Sequence, residues 1–271
     1  MNILVTNDDG ITAPGLHALA AIMKKVGTVY VVAPERERGA VGHSLTLHKP
    51  LRINRVGTRM FSVNGTPSDC VTLAVKRVLP APPALVISGI NRGVNLGDDV
   101  TYSGTVSAAL EGTLLGLPSV AISQEGKARF LFQAAAVYAL RVARAVLHYG
   151  LPDETLLNVN VPNRRLAAIA GVRITSLSRR HFVDPVVEKV DPRGRTYYWI
   201  AGTRVSRKRQ KSSDYEAVRR GMVSVTPLHV DMTHYEAMGL LQNWENLLGT
   251  EKRKRWVRQS TGGKTPVCAV R

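Results

Sequence analysis

The sequence has few cysteines, few aromatic residues and no long apolar run. Its two cysteines, Cys70 and Cys268, lie far apart and do not suggest a disulfide framework. No apolar stretch reaches the ~18 residues that indicate a membrane-spanning helix. The amino terminus enters a strand pattern directly, without the basic and apolar segments of a secretory signal. These absences predict a protein of the reducing cytoplasm with no membrane partner.

Two common nucleotide-binding signatures are also missing. The first β-α turn lacks the Gly-x-Gly-x-x-Gly fingerprint and has two acids, Asp8 and Asp9, where a pyrophosphate would sit. The P-loop pattern is absent, and no cluster of cysteines and histidines has the spacing of a zinc site. The sequence therefore argues against a dinucleotide-binding enzyme, a P-loop NTPase and a zinc protein.

Acidic residues are scarce, at 20 against 37 lysines and arginines, which gives a formal charge of +17. Residues 204–220 and 249–271 together hold 11 of these 17 charges. One interpretation is a polyanionic partner such as nucleic acid. The other is a solvated basic surface, because no aromatic residues are interleaved as in a base-stacking platform. We expect residues 249–271 to form a mobile basic tail without catalytic residues, outside a single domain of residues 1–248.

What the sequence does contain is a regular alternation of strands and helices. Buried strands are predicted at residues 2–6, 28–33, 84–88 and 119–123, and helices at residues 14–26, 68–79, 104–115 and 128–149. This β-α-β order predicts a parallel sheet in a core of about residues 1–150. Residues 45–63 predict a small two-stranded excursion.

The remaining part of the domain, about residues 151–248, has a different pattern. It predicts strands at residues 156–161, 172–176 and 222–227 and a final helix over residues 234–248. A hairpin is predicted over residues 180–202, turning at Asp191-Pro192-Arg193-Gly194. Because this hairpin carries Tyr197, Tyr198 and Trp199, we expect it to pack on another subunit.

The first strand ends in two adjacent carboxylates, Asp8 and Asp9, followed by Gly10. Adjacent carboxylates repel each other, so the pair is costly unless a cation lies between them. Because the carboxyl ends of parallel strands meet at one edge, the loops after strands 28–33 and 84–88 reach the same place. Carboxylate and amide oxygens there suit a hard cation such as Mg²⁺ or Mn²⁺.

A second motif, Ser103-Gly104-Thr105, lies at a predicted helix start. Unpaired N–H groups and the partial positive charge of a helix N-terminus favour an anion, most often phosphate. An ordinary serine N-cap is the alternative, and it is favoured when the motif is taken alone. Asp8 and Asp9 alone could likewise form a simple turn. The occurrence of both motifs at strand ends of one α/β pattern favours a metal-plus-phosphate site.

Five segments resemble, in order and spacing, the SurE family of survival proteins, which are metal-dependent 5'/3'-nucleotidases. The segments are NILVTNDDG (2–10), GHSLT (42–46), GTPSDCV (65–71), SGINRGVN (88–95) and YSGTV (102–106). The resemblance covers roughly residues 1–248. It implies a Rossmann-like three-layer α/β/α sandwich with a C-terminal, hairpin-containing region that forms a homodimer or homotetramer.

The resemblance also implies a set of metal ligands. Asp8, Asp9 and Asn91 hold the cation together with a serine in the loop after the second strand. This sequence has Gly39 at the serine position, so one neutral ligand of the family pattern is missing. A water molecule could replace it, since Mg²⁺ commonly keeps several waters. We expect the two aspartates to dominate metal affinity.

The implied reaction is hydrolysis of nucleoside 5'- and 3'-monophosphates to nucleoside and phosphate. We expect Asp8 to orient or deprotonate the attacking water. Phosphate binding is expected at Asn95, Ser103, Gly104 and Thr105. A covalent phosphoaspartate at Asp8 stays open.

His43 is a possible proton donor to the leaving group, with a structural loop histidine as an equal alternative. Two other functions also stay open. The +17 charge motivates a broader phosphatase that also acts on short polyphosphate or oligonucleotide ends. Gly39 and the basic tail motivate an inactive homologue that binds nucleotides or RNA.

Overall fold

The computed structural model describes residues 1–126, 130–183, 186–200, 204–207, 211–242 and 244–248. The chain divides into two compact units, Met1–Asp231 and the segment that begins at Met232. The basic tail predicted over residues 249–271 lies outside the described residues, and the single domain over residues 1–248 stays a prediction. Within the described ranges, no helix combines the length and apolar character needed to cross a bilayer.

The elements of the first unit follow the predicted alternation. The strands are β1 (Asn2–Thr6), β2 (Thr28–Pro34), β3 (Ile53–Gly57), β4 (Met60–Val63), β5 (Leu85–Arg92), β6 (Ser119–Gln124), β7 (Thr155–Val161), β8 (Val172–Ile174), β9 (Arg180–Val183), β10 (Val186–Val190), β11 (Thr196–Ile200), β12 (Arg204–Arg207) and β13 (Val223–His229). The helices are α1 (Pro14–Met23), α2 (Pro67–Leu73), α3 (Gly104–Leu114), α4 (Phe132–Tyr149) and α5 (Asp214–Arg219). The second unit contains α6 (Tyr235–Leu241) and α7 (Trp244–Leu248).

Nine strands form one sheet in the order β3-β4-β2-β1-β5-β6-β7-β13-β8. Parallel pairing runs from β2 through β1, β5 and β6 to β7, which confirms the predicted parallel sheet. The chain leaves β1 for β2 on one side and later returns to β5 on the other. The carboxyl end of β1 therefore lies at a topological switch point, where ligands bind in open α/β sheets.

Helices cover both faces of this sheet because successive side chains of a strand point to opposite faces. Ile3 and Val5 of β1 pack in one core with α1 and α4. Leu4 packs in the other core, with α2 and α3. Leu16, Leu19 and Met23 of α1 are buried in the first of these cores. The result is the predicted three-layer α/β/α sandwich.

Several elements differ from their predicted bounds. The helix predicted over residues 68–79 is α2 followed by a π-helical turn over Ala74–Val78. The final helix predicted over residues 234–248 is two short helices, α6 and α7. The loop predicted from residue 89 begins only after Arg92, because Asn91 and Arg92 still pair with β6. Asn91 therefore lies on the end of a strand rather than in a loop.

The predicted hairpin is present as the antiparallel pair β10–β11. Its turn is stabilised by Asp191, whose Oδ1 accepts hydrogen bonds from the backbone N–H groups of Arg193 and Arg195, at 2.8 and 2.9 Å. Tyr198 and Trp199 on β11 are both about 60% exposed. The role of this hairpin in forming an oligomer stays a prediction.

Candidate active site

A cavity of about 290 Å³ lies at the carboxyl edge of the sheet, where the loops after β1, β2 and β5 meet. Six of the predicted site residues line it: Asp8, Asp9, Gly39, Asn91, Asn95 and Ser103. Gly104, Thr105 and His43 do not line it. Glu37 and Arg92, which were not predicted site residues, also line it. The convergence of loops expected from the parallel order therefore occurs.

The turn that carries the two aspartates is fixed by Asn7, a fully buried residue absent from the predicted site. Its Nδ2 donates to the carbonyl of Gly10 at 3.0 Å, and its Oδ1 accepts from the N–H of Gly10 at 3.2 Å. The N–H of Arg38 donates to the carbonyl of Asp8 at 2.7 Å, which joins the loop after β2 to this turn. The signal for Asn7 was a polar residue at the end of a buried strand.

Asp8 is only 6% exposed, and its carboxylate is held by a residue in the first turn of α3. The Thr105 hydroxyl donates a hydrogen bond to Asp8 Oδ1. Burial raises the pKa of Asp8 to about 6; the Thr105 hydrogen bond opposes this rise, and the charge of Asp9 adds to it. At neutral pH most of the Asp8 population is therefore ionised and able to accept a proton.

Asp9 has a different environment. Burial raises its pKa, the backbone N–H of Arg92 lowers it, and the nearby Glu37 carboxylate raises it. Its Oδ2 is buried and has no hydrogen-bond partner among the described residues. A buried carboxylate oxygen without a partner, next to a second carboxylate, is costly unless a cation neutralises it.

The helix α3 begins beside Asp8. Ser103 is the N-cap, and its Oγ accepts from the N–H of Val106 at 3.1 Å, as the alternative interpretation expected. Because the cap uses Oγ as an acceptor, the hydroxyl proton stays available for an anion. A Cβ on Gly104 would lie 2.7 Å from the Cβ of Asp8. The close neighbour that requires glycine at position 104 is thus Asp8.

Asn95 is held by a buried hydrogen-bond network whose other residues were not among the predicted site residues. Its N–H donates to Asn160 Oδ1 at 2.8 Å, and its carbonyl accepts from Nδ2 of Asn158 and of Asn160, at 2.8 and 3.0 Å. Its own Nδ2 donates to Ser123 Oγ at 2.7 Å. Asn158 and Asn160 alternate on β7, so both point to the same face. Two polar residues at alternate positions of an apolar strand were the available signal.

His43 interacts with a residue outside the cavity lining. Its Nε2 lies 2.8 Å from Glu111 Oε2, and the Thr72 hydroxyl donates to Glu111 Oε1 at 2.7 Å. The hydrogen bond with His43 holds the pKa of Glu111 below its ordinary value. These contacts favour the structural interpretation of His43, and its role as a proton donor stays a prediction.

Comparison with known proteins settles the family. A family model described as "Survival protein SurE" matches residues 3–184. The chain belongs to the SurE family. The "5'-nucleotidase SurE" of Geobacter sulfurreducens is 53% identical over 246 residues, covering 90% of this chain and 94% of that protein. The protein of the same name from Geotalea daltonii is 52% identical, covering 90% of this chain and 99% of that protein.

A solved SurE structure agrees with this assignment. The crystal structure of the SurE protein from Aquifex aeolicus matches with a TM-score of 0.82 at 42% identity, covering 90% of this chain and all of that chain. The family resemblance found in the five sequence motifs is therefore confirmed, and the three-layer fold agrees with that of a solved SurE protein.

The donor set of this SurE site fits a hard divalent cation. Asp8, Asp9 and Asn91 offer only oxygen ligands of the kind that Mg²⁺ and Mn²⁺ prefer. The amide of Asn91 is oriented by its own Nδ2, which donates to the carbonyl of Gly93 at 3.0 Å. Across the described ranges, no three histidine, cysteine, aspartate or glutamate side chains form a ready-made metal cage. The buried Oδ2 of Asp9 is the observation that supports the fit.

Proposed function

We propose that this SurE chain is a divalent-metal-dependent phosphatase that hydrolyses nucleoside 5'- and 3'-monophosphates to nucleoside and phosphate. The nucleotidase activity is supported by relatives named "5'-nucleotidase SurE" that are 50 to 53% identical over about 90% of the chain. The structural observation that carries the metal requirement is the buried, unpartnered Oδ2 of Asp9 beside Asp8.

Asp8 is the proposed catalytic residue. Its pKa of about 6 leaves the carboxylate mostly ionised at pH 7 to 8, so it can accept a proton from an attacking water. Thr105 donates to one carboxylate oxygen and thereby fixes the orientation of the group. We therefore propose that the Thr105 hydroxyl positions Asp8, and phosphate binding by Thr105 stays a prediction for its backbone N–H.

The cation is proposed to be Mg²⁺ or Mn²⁺, held by Asp8, Asp9 and Asn91. When bound, such a cation neutralises phosphoryl charge and makes water a better nucleophile at neutral pH. Asp9 and Asn91 are proposed to act only as ligands, and they leave proton transfer to Asp8.

Phosphoryl oxygens are proposed to bind at the start of α3. The free hydroxyl proton of Ser103 and the N–H of Gly104 are the donors closest in sequence to that helix start. Asn95 Nδ2 has a second proton beyond the one it gives to Ser123, and that proton can serve a phosphoryl oxygen. Donors fixed before the substrate arrives stabilise charge that develops during the reaction.

We also propose that the β10–β11 hairpin mediates a homodimer or homotetramer, supported by its exposed aromatic side chains. Nucleic-acid binding by residues 249–271 stays a prediction, because those residues lie outside the described ranges. A cytoplasmic location is likewise a proposal, based on the sparse cysteines.

The direct test of the function is a metal add-back assay. The purified protein is stripped of metal, and phosphate release from 5'- and 3'-monophosphates of all bases is measured with and without Mg²⁺ or Mn²⁺. We expect release only with metal, and faster release from nucleoside monophosphates than from short polyphosphate or oligonucleotide ends. No metal-dependent release from any of these substrates would contradict the proposal.

A further inference from the structure

The side chain of Glu37 lies next to the space beside Gly39. A Cβ placed on Gly39 would lie 3.7 Å from Oε1 of Glu37, and apart from the two adjacent residues no other group in the described part of the chain comes within 4 Å. Gly39 is the position at which the family pattern implies a serine ligand. The carboxylate of Glu37 therefore borders the volume that a serine side chain would fill.

The carboxylate of Glu37 is available to bind a cation. The residue is exposed, and within the described ranges no hydrogen bond or ion pair engages its carboxylate. It lines the same cavity as Asp8 and Asp9. An acid in this position repels Asp9 unless a cation lies between them.

We propose that Glu37 is a ligand of the divalent cation in this chain and takes the place of the serine that is missing at Gly39. This proposal rests on the metal-dependent function proposed above. The carboxylates are not gathered as a cage in the structure. Ligation therefore requires the exposed Glu37 side chain to rotate, and this costs little because no contact has to break.

Ligation by Glu37 has consequences for the charge of the site. Asp8, Asp9 and Glu37 carry three negative charges around a cation of charge +2, which raises affinity for the cation. The same excess charge opposes a phosphate dianion. Arg92 lines the cavity and offsets part of this charge. The sequence predicts a water molecule at the position of the missing ligand, and in this proposal the Glu37 carboxylate replaces that water.

Metal affinity gives the first test, measured by calorimetric titration of the stripped full-length protein with Mn²⁺. Glu37→Gln removes the charge, Glu37→Asp keeps the charge but shortens the reach, and Glu35→Gln is the matched control. Glu35 is an exposed acid of the same loop that does not line the cavity. We expect Kd to rise at least about tenfold for Glu37→Gln and at least about threefold for Glu37→Asp, with less than about twofold for the control.

The outcomes separate this inference from the function on which it rests. A Glu37→Gln Kd within about twofold of wild type would overturn the inference while leaving the metal site intact. Equal weakening of Mn²⁺ binding by Glu35→Gln, or wild-type affinity in Glu37→Asp, would show that Glu37 acts only as a distant charge. Either result would also overturn the inference. Absence of Mn²⁺ binding by the wild-type protein would overturn the proposed function itself.

The number of waters on bound Mn²⁺, measured by water-proton relaxation, tests direct ligation without any activity assay. We expect Glu37→Ala to gain one water relative to wild type, and Glu37→Ala combined with Gly39→Ser to lose it again. An unchanged water number in Glu37→Ala would contradict ligation. Unfolding temperatures of the metal-free proteins check that these exposed substitutions leave the fold intact.

Discussion

The hydroxyl of Thr105 donates a hydrogen bond to Oδ1 of Asp8, and the two residues are 97 positions apart in the chain. The bond joins the first turn of α3 to the loop after β1. Both residues are buried, so the bond is shielded from water. It keeps the proposed catalytic carboxylate in one orientation and opposes the rise of its pKa that burial causes.

Removing that hydroxyl with Thr105→Val should lower kcat by about 10- to 100-fold, because Asp8 loses its orientation. The bond favours the ionised carboxylate, so its loss raises the pKa of Asp8 and moves the acidic limb of the pH profile to higher pH. Steady-state kinetics from pH 5 to 9 measure both effects. Thr105→Ser, which keeps a hydroxyl, should restore most of the rate. An unshifted pH profile in Thr105→Val would contradict this role.

A methyl group at Gly104 should displace Asp8. The Cβ of Gly104→Ala would lie 2.7 Å from the Cβ of Asp8, closer than real contacts allow, and 3.0 Å from Oδ2 of the same residue. We expect a loss of activity of at least about tenfold, since small misplacements of a catalytic group are costly. Gly239→Ala is the matched control, because that glycine lies in α6 with open space around it. Equal activity of the two variants would refute the steric account.

The metal-free protein should become more stable when Asp8 is made neutral. The pKa of Asp8 is raised from 3.8 to about 6 on folding. The folded state therefore holds its proton more tightly, and stability falls as the pH rises from about 4 to 6. Above this range the cost is complete, at roughly 3 kcal/mol as an upper limit.

Thermal unfolding of wild type and Asp8→Asn without metal measures this cost. We expect the variant to have the higher Tm at pH 7.5 and nearly the same Tm at pH 4. Added Mg²⁺ should raise the Tm of the wild type more than that of the variant, because the variant lacks one anionic ligand. A variant that is less stable than wild type at pH 7.5 would contradict the raised pKa.

Asn158 and Asn160 on β7 should hold the backbone of Asn95 in place in the cavity wall. Asn160→Ala leaves the N–H of Asn95 without its acceptor and removes one donor to its carbonyl. An orphaned buried backbone group costs about 1 to 3 kcal/mol, so we expect a lower Tm together with a raised KM. Asn54→Ala on the outer strand β3, an exposed position, is the control. A fall in Tm with unchanged KM would limit Asn160 to a structural role.

The local pattern predicted the parallel sheet and the edge of that sheet where the cavity lies, whereas the three-layer sandwich was implied by the resemblance to the SurE family. The sheet and its edge follow because apolar strands alternate with helices and because the carboxyl ends of parallel strands converge. Asp8, Asp9 and Ser103 could be placed near one another for that reason alone.

Features that depend on contacts between distant segments could not be predicted. The hydrogen bond from Thr105 to Asp8 joins residues 97 positions apart, and the hydrogen bond from Asn95 to Asn160 joins residues 65 positions apart. The close approach of Asp8 to Gly104 likewise joins segments that are far apart in the chain. The extension of β5 to Asn91 depends on pairing with β6, which no local pattern encodes.

The central claim is that Asp8 performs proton transfer in a metal-dependent phosphatase. Phosphate release from a nucleoside 5'-monophosphate, measured with saturating Mn²⁺ for wild type, Asp8→Asn and the surface control Asp153→Asn, tests it most directly. We expect Asp8→Asn to remain folded but to release phosphate at least about a thousandfold more slowly than wild type, while Asp153→Asn retains the wild-type rate. A folded Asp8→Asn protein with a rate within about tenfold of wild type would show that Asp8 does not transfer the proton.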